Sequence, residues 1–219
     1  MPEASTGISS AVPRPTLERL PRYLNYLRTR LAEGCEQTSS AVIAQDLKLT
    51  AIQVRKDLAY VGSGKPRTGH SVAALIEQLE NFLGYDDAKD AVLVGVGHLG
   101  QALMAYRGFA DYGLNILAAF DTDEKLVGQR IQGKPVFHAE RLAHLTARLG
   151  APLGIITVPA EHAQDVCDQL IAGGVYGILN FAPIHLSVPD HVLVRNVDIA
   201  AQMALLSSSL REFHLKQEA

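Results

Sequence analysis

Apolar positions recur at intervals of three and four from Leu17 through Leu20, Leu24 and Leu27 to Leu31. This predicts a helix with one inward stripe, capped by Thr16 and stopped at Gly34. Ser39 or Ser40 opens a second short helix over AVIAQDL, and Thr50 with Gln53 has the spacing of a capping box for a third, over TAIQVRKDLAYV. At about 100° per residue, Ala51, Val54, Leu58 and Val61 gather on one side of that third helix. Lys56 stands most nearly opposite, flanked by Ile52, Gln53, Ala59 and Tyr60, with Arg55 nearer the boundary between the faces. The stretch GSGKPRTGH, with three glycines and a proline, suits a hairpin turn carrying Lys65 and Arg67 at its tip. From NFLGYDDAKD onward the pattern changes. Short apolar runs (AVLVG, NILAAFD, KPVFH, LGIITVP, YGILNFAP, HVLVRN) alternate with helical stretches, as in a doubly wound, Rossmann-type α/β parallel sheet. The last segment, NVDIAAQMALLSSSLREFHLK, reads as a long amphipathic helix whose apolar side asks for a partner.

The break near residue 85 divides the charge as well. Residues 1–84 hold ten Lys and Arg against eight Asp and Glu, a net of +2, whereas residues 85–219 hold ten against fifteen, a net of −5. The positive charge is concentrated further: between Lys48 and Arg67 lie five basic residues and a single acid, Asp57. A basic island in a chain of net charge −3 therefore coincides with the third helix and the hairpin. The expected division is 1–84, 85–195 and 196–219. With 47% hydrophobic and 20% charged residues the chain reads as an ordinary globular protein, which excludes disordered and collagen-like classes. No run approaches the roughly 20 apolar residues of a membrane span, and MPEASTGISSAVPRP lacks the basic start and apolar core of a signal peptide, so a cytoplasmic protein is expected. Cys35 and Cys167 have no CxxC or His-rich company, which points to buried thiols and to neither a disulfide nor a metal site.

Two chemistries follow. A short helix-turn-helix with Gln53, Arg55, Lys56 and Tyr60 outward, followed by a basic hairpin, has the dimensions of a winged helix that enters a major groove, with Lys65 and Arg67 along the backbone or in a minor groove. A merely solvated charged face is the plainer alternative. In the second half, Gly95-x-Gly97-x-x-Gly100 lies between an apolar strand and a helix, the context that a dinucleotide-binding turn requires. Asp121 ends the next strand, 21 residues after Gly100, where a ribose-binding carboxylate belongs, and an acid there favours NAD over NADP. A helix cap is its plainer role. Thr157, Val158 and Pro159 close one strand and Asn180 and Phe181 another, which places both groups at the carboxyl edge of the sheet, where ligands bind.

On LERLPRYL, QVRKDL, VGVGHLG, AYRGF, ITVP, GILNFAP and NVD, spread over nearly the whole length, the chain resembles the Rex family of bacterial redox-sensing transcriptional repressors. The resemblance implies a homodimer with N-terminal winged helices that bind an inverted-repeat operator in double-stranded DNA. It further implies C-terminal Rossmann domains that bind NADH and NAD+, and a last helix exchanged between subunits. NADH would release the DNA and NAD+ would permit binding. By position, Gly95, Val96, Gly97, His98, Leu99 and Gly100 fall on the family's pyrophosphate turn and Asp121 on its adenosine-ribose acid. Tyr106 matches the tyrosine near the nicotinamide, and Asp198 the acid associated with it in the switch. Asn25 stands where some members carry an arginine, and the wing is one residue shorter and lacks a second aromatic. The competing classes are an NAD-dependent oxidoreductase with a helical extension and a CoA-binding subunit. His98, His162 and His185 could serve the first as proton carriers, but no separate substrate domain follows the cofactor fold, and Asp121 speaks for a dinucleotide over CoA.

Overall fold

A computed structural model describes residues 12–62, 69–85 and 89–217. The chain folds as two compact units, one up to Asp87 and one from Ala88.

The first unit contains α1 (Arg14–Ala32), β1 (Gln37–Thr38), α2 (Ser40–Leu47), α3 (Ala51–Tyr60), β2 (His70–Ser71) and α4 (Val72–Leu83). Ser39 caps α2 by accepting from the Val42 N–H, and Thr50 caps α3 by accepting from the Gln53 N–H at 3.2 Å. Between them Lys48 adopts a left-handed φ of 55°, which ends α2 and makes the turn tight. Leu20, Leu24 and Leu27 of α1 pack with Ile43, Val54, Leu58, Leu75 and Leu79 in one core. Helix α4 was not foreseen by the sequence reading, which ran from hairpin to domain boundary. Its signals are Ser71, which accepts from the Ala74 N–H, and buried Val72, Leu75, Ile76 and Leu79 at helical spacing. The basic hairpin with Lys65 and Arg67 lies outside the described residues; β2, just after it, pairs antiparallel with β1.

Thr16 does not cap α1, whose N-cap is Pro13. It lies within the helix and turns inward to Asp57 on α3. That carboxylate is buried and accepts four hydrogen bonds: from Thr16 Oγ1 at 2.9 Å, Arg19 Nε at 2.7 Å, Arg19 Nη2 at 2.8 Å and Tyr23 OH at 2.7 Å. Burial pushes the Asp57 carboxyl up, but the bonds from Arg19, Tyr23 and Thr16 outweigh it and hold it below the ordinary aspartate range. Burial and the neighbouring carboxylate push the Tyr23 hydroxyl up to about 12.

The second unit contains β3 (Lys89–Val94), α5 (His98–Ala105), a 3-10 segment (Arg107–Tyr112), β4 (Leu114–Asp121), β5 (Arg130–Ile131), β6 (Lys134–His138), α6 (Leu142–Leu149), β7 (Leu153–Ile156), α7 (Ala160–Ala172), β8 (Gly177–Asn180), β9 (Leu193–Asn196) and α8 (Ile199–Gln217). The sheet order is β5-β6-β4-β3-β7-β8-β9, parallel throughout except for the β5 edge. From β3 the chain first builds outward through β4 and β6, then returns to β7 on the other side. The carboxyl ends of β3 and β7 thus flank the switch point where such sheets bind ligands. On one face, α6 and α7 cover Val92, Val94, Ala118, Phe120 and Ile156. On the other, Met104 of α5 and Phe109 of the 3-10 segment pack with Leu93, Ile116 and Ala119.

Because the folded carboxyl of Asp57 titrates below its unfolded value of about 3.9, its stabilisation is complete above that value and is lost as pH falls through the folded one. The urea midpoint read by far-UV circular dichroism should therefore fall as pH drops from about 5 towards 3. Asp57→Asn should be less stable by about 3 kcal/mol at neutral pH, at the low end for a half-broken buried pair because Arg19 keeps some exposure. It should also show a flatter dependence on acid.

Candidate cofactor turn and recognition helix

The glycine turn is built by backbone meeting backbone. Gly95 has φ +96°, and a β-carbon there would stand 2.8 Å from the Thr157 carbonyl oxygen. At Gly100 it would stand 2.0 Å from the Gly95 carbonyl oxygen. Gly97 differs: a β-carbon there would meet nothing within 4 Å, so the space beside it is open. Gly97 is also the N-cap of α5 and offers no side chain to accept from the first helical N–H groups. Those donors, at the positive end of the helix dipole, form an anion site next to open space. His98 and Leu99 are exposed in this first turn, while Val96 is fully buried and anchors it.

Asp121 ends β4 and braces the turn. Its Oδ2 accepts from the Val96 N–H and its Oδ1 from the Asp123 N–H at 2.9 Å, so the carboxylate is fixed and its remaining lone pairs are aimed by those two bonds. Thr157 belongs to the same brace: its hydroxyl lies 2.6 Å from Gly95 O and 2.9 Å from Val94 O. Val158 packs on the core, and Pro159 caps α7. The carboxyl ends of β3, β4 and β7 thus bring together Gly95–Gly100, Asp121 and Thr157.

Asn180 ends β8 at the carboxyl edge of the sheet, as expected, and its side chain is turned into the protein. It is fully buried, and its amide donates to Ala182 O, Ile184 O and Asn196 Oδ1 while its Oδ1 accepts from the Ala182 N–H. The side chain shapes the loop after β8 and ties it to β9. Phe181 packs on the α5 face of the sheet. Tyr106, between α5 and the 3-10 segment, is 60% exposed; its ring lies over Gly108 and meets Phe109 edge-on at 5.3 Å. Asp198 follows β9 and accepts from the Ala201 N–H at 2.8 Å in the first turn of α8. His162 and His185 are exposed. Of the two thiols expected to be buried, Cys167 is buried and Cys35 only half-buried. Among the described residues no cluster of His, Cys, Asp and Glu could hold a metal ion, and no helix is long and apolar enough to cross a membrane.

In the first unit, Arg55, Lys56 and Tyr60 are exposed on α3 and Gln53 is half-buried, with Val54 and Leu58 facing the core. Residue Asp57, the one acid of the basic island, is withdrawn from this surface. The outward side of α3 is therefore more cationic than the sequence alone indicates. Sequence reasoning missed this because Asp57 was weighed only as a charge in a run. The available signal was its place between Val54 and Leu58, on the same side of the helix.

Comparison with known proteins matches two separate stretches of the chain to family models. Residues 11–59 match the family model described as "Putative DNA-binding protein N-terminus", and residues 86–184 match that of the CoA binding domain. Curated relatives named redox-sensing transcriptional repressor Rex include one from Porphyromonas gingivalis, 42% identical over 94% of this chain and 95% of that protein. Another, from Carboxydothermus hydrogenoformans, is 41% identical over 91% of this chain and 97% of its own length. Among solved structures, that of RSP in complex with β-NAD+ and operator DNA superposes with a TM-score of 0.88 at 32% identity, covering 96% of this chain and 97% of that one. The structure of RSP in complex with β-NADH gives 0.87 at the same identity, covering 96% and 99%.

The glycine geometry makes a stability prediction. Gly100→Ala should lower the thermal midpoint by several degrees or abolish folding of the second unit, because backbone rather than a flexible side chain blocks the new carbon. Gly97→Ser, with a β-carbon in open space and a hydroxyl suited to an N-cap, should melt within about 2 °C of the parent. Differential scanning calorimetry of both variants tests the contrast.

Proposed function

The chain belongs to the Rex family of redox-sensing transcriptional repressors, and from that premise we propose that it is an NADH-responsive repressor. It binds operator DNA through the first unit and NADH or NAD+ through the second, and it is released from DNA by NADH. The nucleotides act as effectors, and no reaction is catalysed. The observation that carries this reading is that the relatives match from end to end, so the cationic α3 and the glycine turn both lie in one matched span. The oxidoreductase and CoA-subunit alternatives give way to it, since the relatives with this whole architecture are named as repressors. Such a role belongs in the cytoplasm, where the operator and the nucleotide pool are.

The geometry supports a role for each residue. The N–H groups that open α5 suit a pyrophosphate, with Gly97 leaving room for it and Asp121 suited to the hydroxyls of the adenosine ribose. Thr157, Val158, Pro159 and Phe181 border the same sheet edge, and Tyr106 and Asp198 are assigned to the nicotinamide end. On DNA, Lys56 suits base edges and Arg55, Gln53 and Tyr60 the groove and its backbone, and Lys65 and Arg67, outside the described residues, are assigned to the backbone or a minor groove. The working division remains 1–84 for DNA, 85–195 for the nucleotide and 196–219 for the helix of exchange.

Homodimerisation by that helix is supported within the second unit. Every residue from Ile199 to Leu210 is exposed, and Ile199, Met203, Leu206, Leu210 and Phe213 recur every three or four residues on one stripe. On the α5 face of the sheet, an apolar groove of about 330 Å³ lies open along Ile116, Leu153, Ile155, Leu179 and Leu193. A stripe and a groove that the same unit leaves apart are matched by a second copy. Two copies related by a two-fold axis present two recognition helices, as an inverted repeat requires.

Fluorescence anisotropy on an inverted-repeat duplex should show release by NADH at concentrations where NAD+ leaves the complex intact. Lys56→Ala should weaken operator binding about tenfold without changing NADH affinity. Asp121→Ala and Gly97→Ser should do the reverse, binding DNA but losing the response to NADH. Release at equal concentrations of the two nucleotides would defeat the redox reading. Separately, Leu206→Asp should sediment as a monomer, and a variant that stayed dimeric would remove α8 from the interface.

A further inference from the structure

The four hydrogen bonds on Asp57 do more than bury a charge. All three donors, Thr16, Arg19 and Tyr23, come from α1, where spacings of three and four residues put them on one stripe. Arg19 engages the carboxylate at two points, Nε to Oδ2 and Nη2 to Oδ1, a planar fork that fixes direction as well as distance. The partner, Asp57, is the residue next to Lys56. Along an α-helix neighbouring side chains differ by about 100° about the axis, so anchoring one sets the heading of the other.

The apolar contacts of α3 cannot supply this. Val54 and Leu58 hold the helix against the core, but hydrophobic packing is non-directional and tolerates small rolls. A roll of about 10° moves an atom roughly 6 Å from the helix axis by about 1 Å, enough to break a bidentate base contact. It matters much less for an ammonium beside a phosphate, which acts as a point charge. The same residues also line a concavity of about 390 Å³, where Thr16, Arg19 and Asp57 are joined by Gln53, Lys56 and Tyr60. The anchored cluster therefore borders the side chains assigned to the groove.

We propose that Arg19, Tyr23 and Thr16 are positioning residues that lock the roll of the recognition helix through Asp57, and so set operator specificity without touching a base. This rests on the DNA-binding reading above. It predicts an unusual separation: loosening the lock should cost discrimination between operator and other DNA while leaving the electrostatic part of binding in place.

The test uses the full-length protein and an operator recovered with the parent protein by selection from a random duplex pool. Affinities for that duplex and for a scrambled one of equal length are measured by anisotropy over a range of salt, alongside NADH affinity and thermal midpoint. Arg19→Met should reduce the operator-to-scrambled ratio about tenfold, and Tyr23→Phe, which keeps the ion pair, about threefold. NADH affinity, scrambled-duplex affinity and the salt slope should stay at parental values. An unchanged ratio in both variants overturns the proposal, and so does a salt slope reduced by about one, which would make Arg19 a phosphate contact. A parallel fall in operator and scrambled binding also overturns it, by showing a purely structural role. If Arg19→Met does not fold, Tyr23→Phe alone decides. Failure of the parent to yield any selected duplex would instead defeat the DNA-binding reading itself.

Discussion

The second unit depends on the missing β-carbon of Gly100. Its backbone approaches the Gly95 carbonyl so closely that no side chain fits, and this approach lets α5 begin directly at the sheet's switch point. The other parts of the turn follow from it. Asp121 holds the Val96 N–H, Thr157 closes on the Gly95 carbonyl, and the unsatisfied donors at the start of α5 face the open space beside Gly97. Two glycines are therefore spent on packing, and the third leaves room. The same GxGxxG letters carry two physical demands, one internal to the fold and one directed at a ligand.

The sheet above that turn is unevenly covered. Helices α6 and α7 bury one face, whereas α5 and the 3-10 segment cover the other only in part and leave a groove open from Ile116 of β4 across to Leu193 of β9. An isolated parallel sheet is not stable with apolar residues facing water on that side. The long, exposed α8 is apolar along one stripe for the same reason. Each surface is a defect alone, and together they are what a symmetric dimer would bury.

Much of this was legible in the sequence because local signals agreed with the fold. Thr50 caps the helix it is expected to cap, Ser39 rather than Ser40 caps the one before it, Lys56 is outward, and the strand and helix alternation of the second half forms a parallel sheet. What the sequence leaves hidden shares a cause. Thr16, Asp57 and Asn180 are polar residues whose partners lie elsewhere in the fold, 41 residues away for the Thr16–Asp57 bond and 16 for the Asn180–Asn196 bond. Periodicity reports which side of an element is apolar, but it cannot report that a carboxylate on that side meets an arginine from another helix. Asn180 stands at the strand end where the sequence puts it, but its bonds to the following loop and to Asn196 are not visible in the sequence, because the same sheet edge that receives ligands must also satisfy its own backbone. The pattern of helix α4, Val72, Leu75, Ile76 and Leu79 after a capping Ser71, is present in the sequence too, but it falls between the expected hairpin and the expected boundary, a stretch to which no element is assigned.

The demands of a redox switch say what a dimer would add. NAD+ and NADH differ at the nicotinamide by one positive charge, so a carboxylate such as the one assigned here, Asp198, favours the oxidised ring when near it and gains nothing from the reduced one. At about 5 Å and an effective dielectric near 20, that difference is roughly 3 kcal/mol, a factor of about 10² in relative affinity for the two arrangements. Moving a population from 99:1 to 1:99 takes about 10⁴. A monomer with one such site would fall short by about two orders of magnitude. Two coupled sites multiply their preferences and reach it, so a pocket of ordinary electrostatics becomes an effective switch only when two copies must change together.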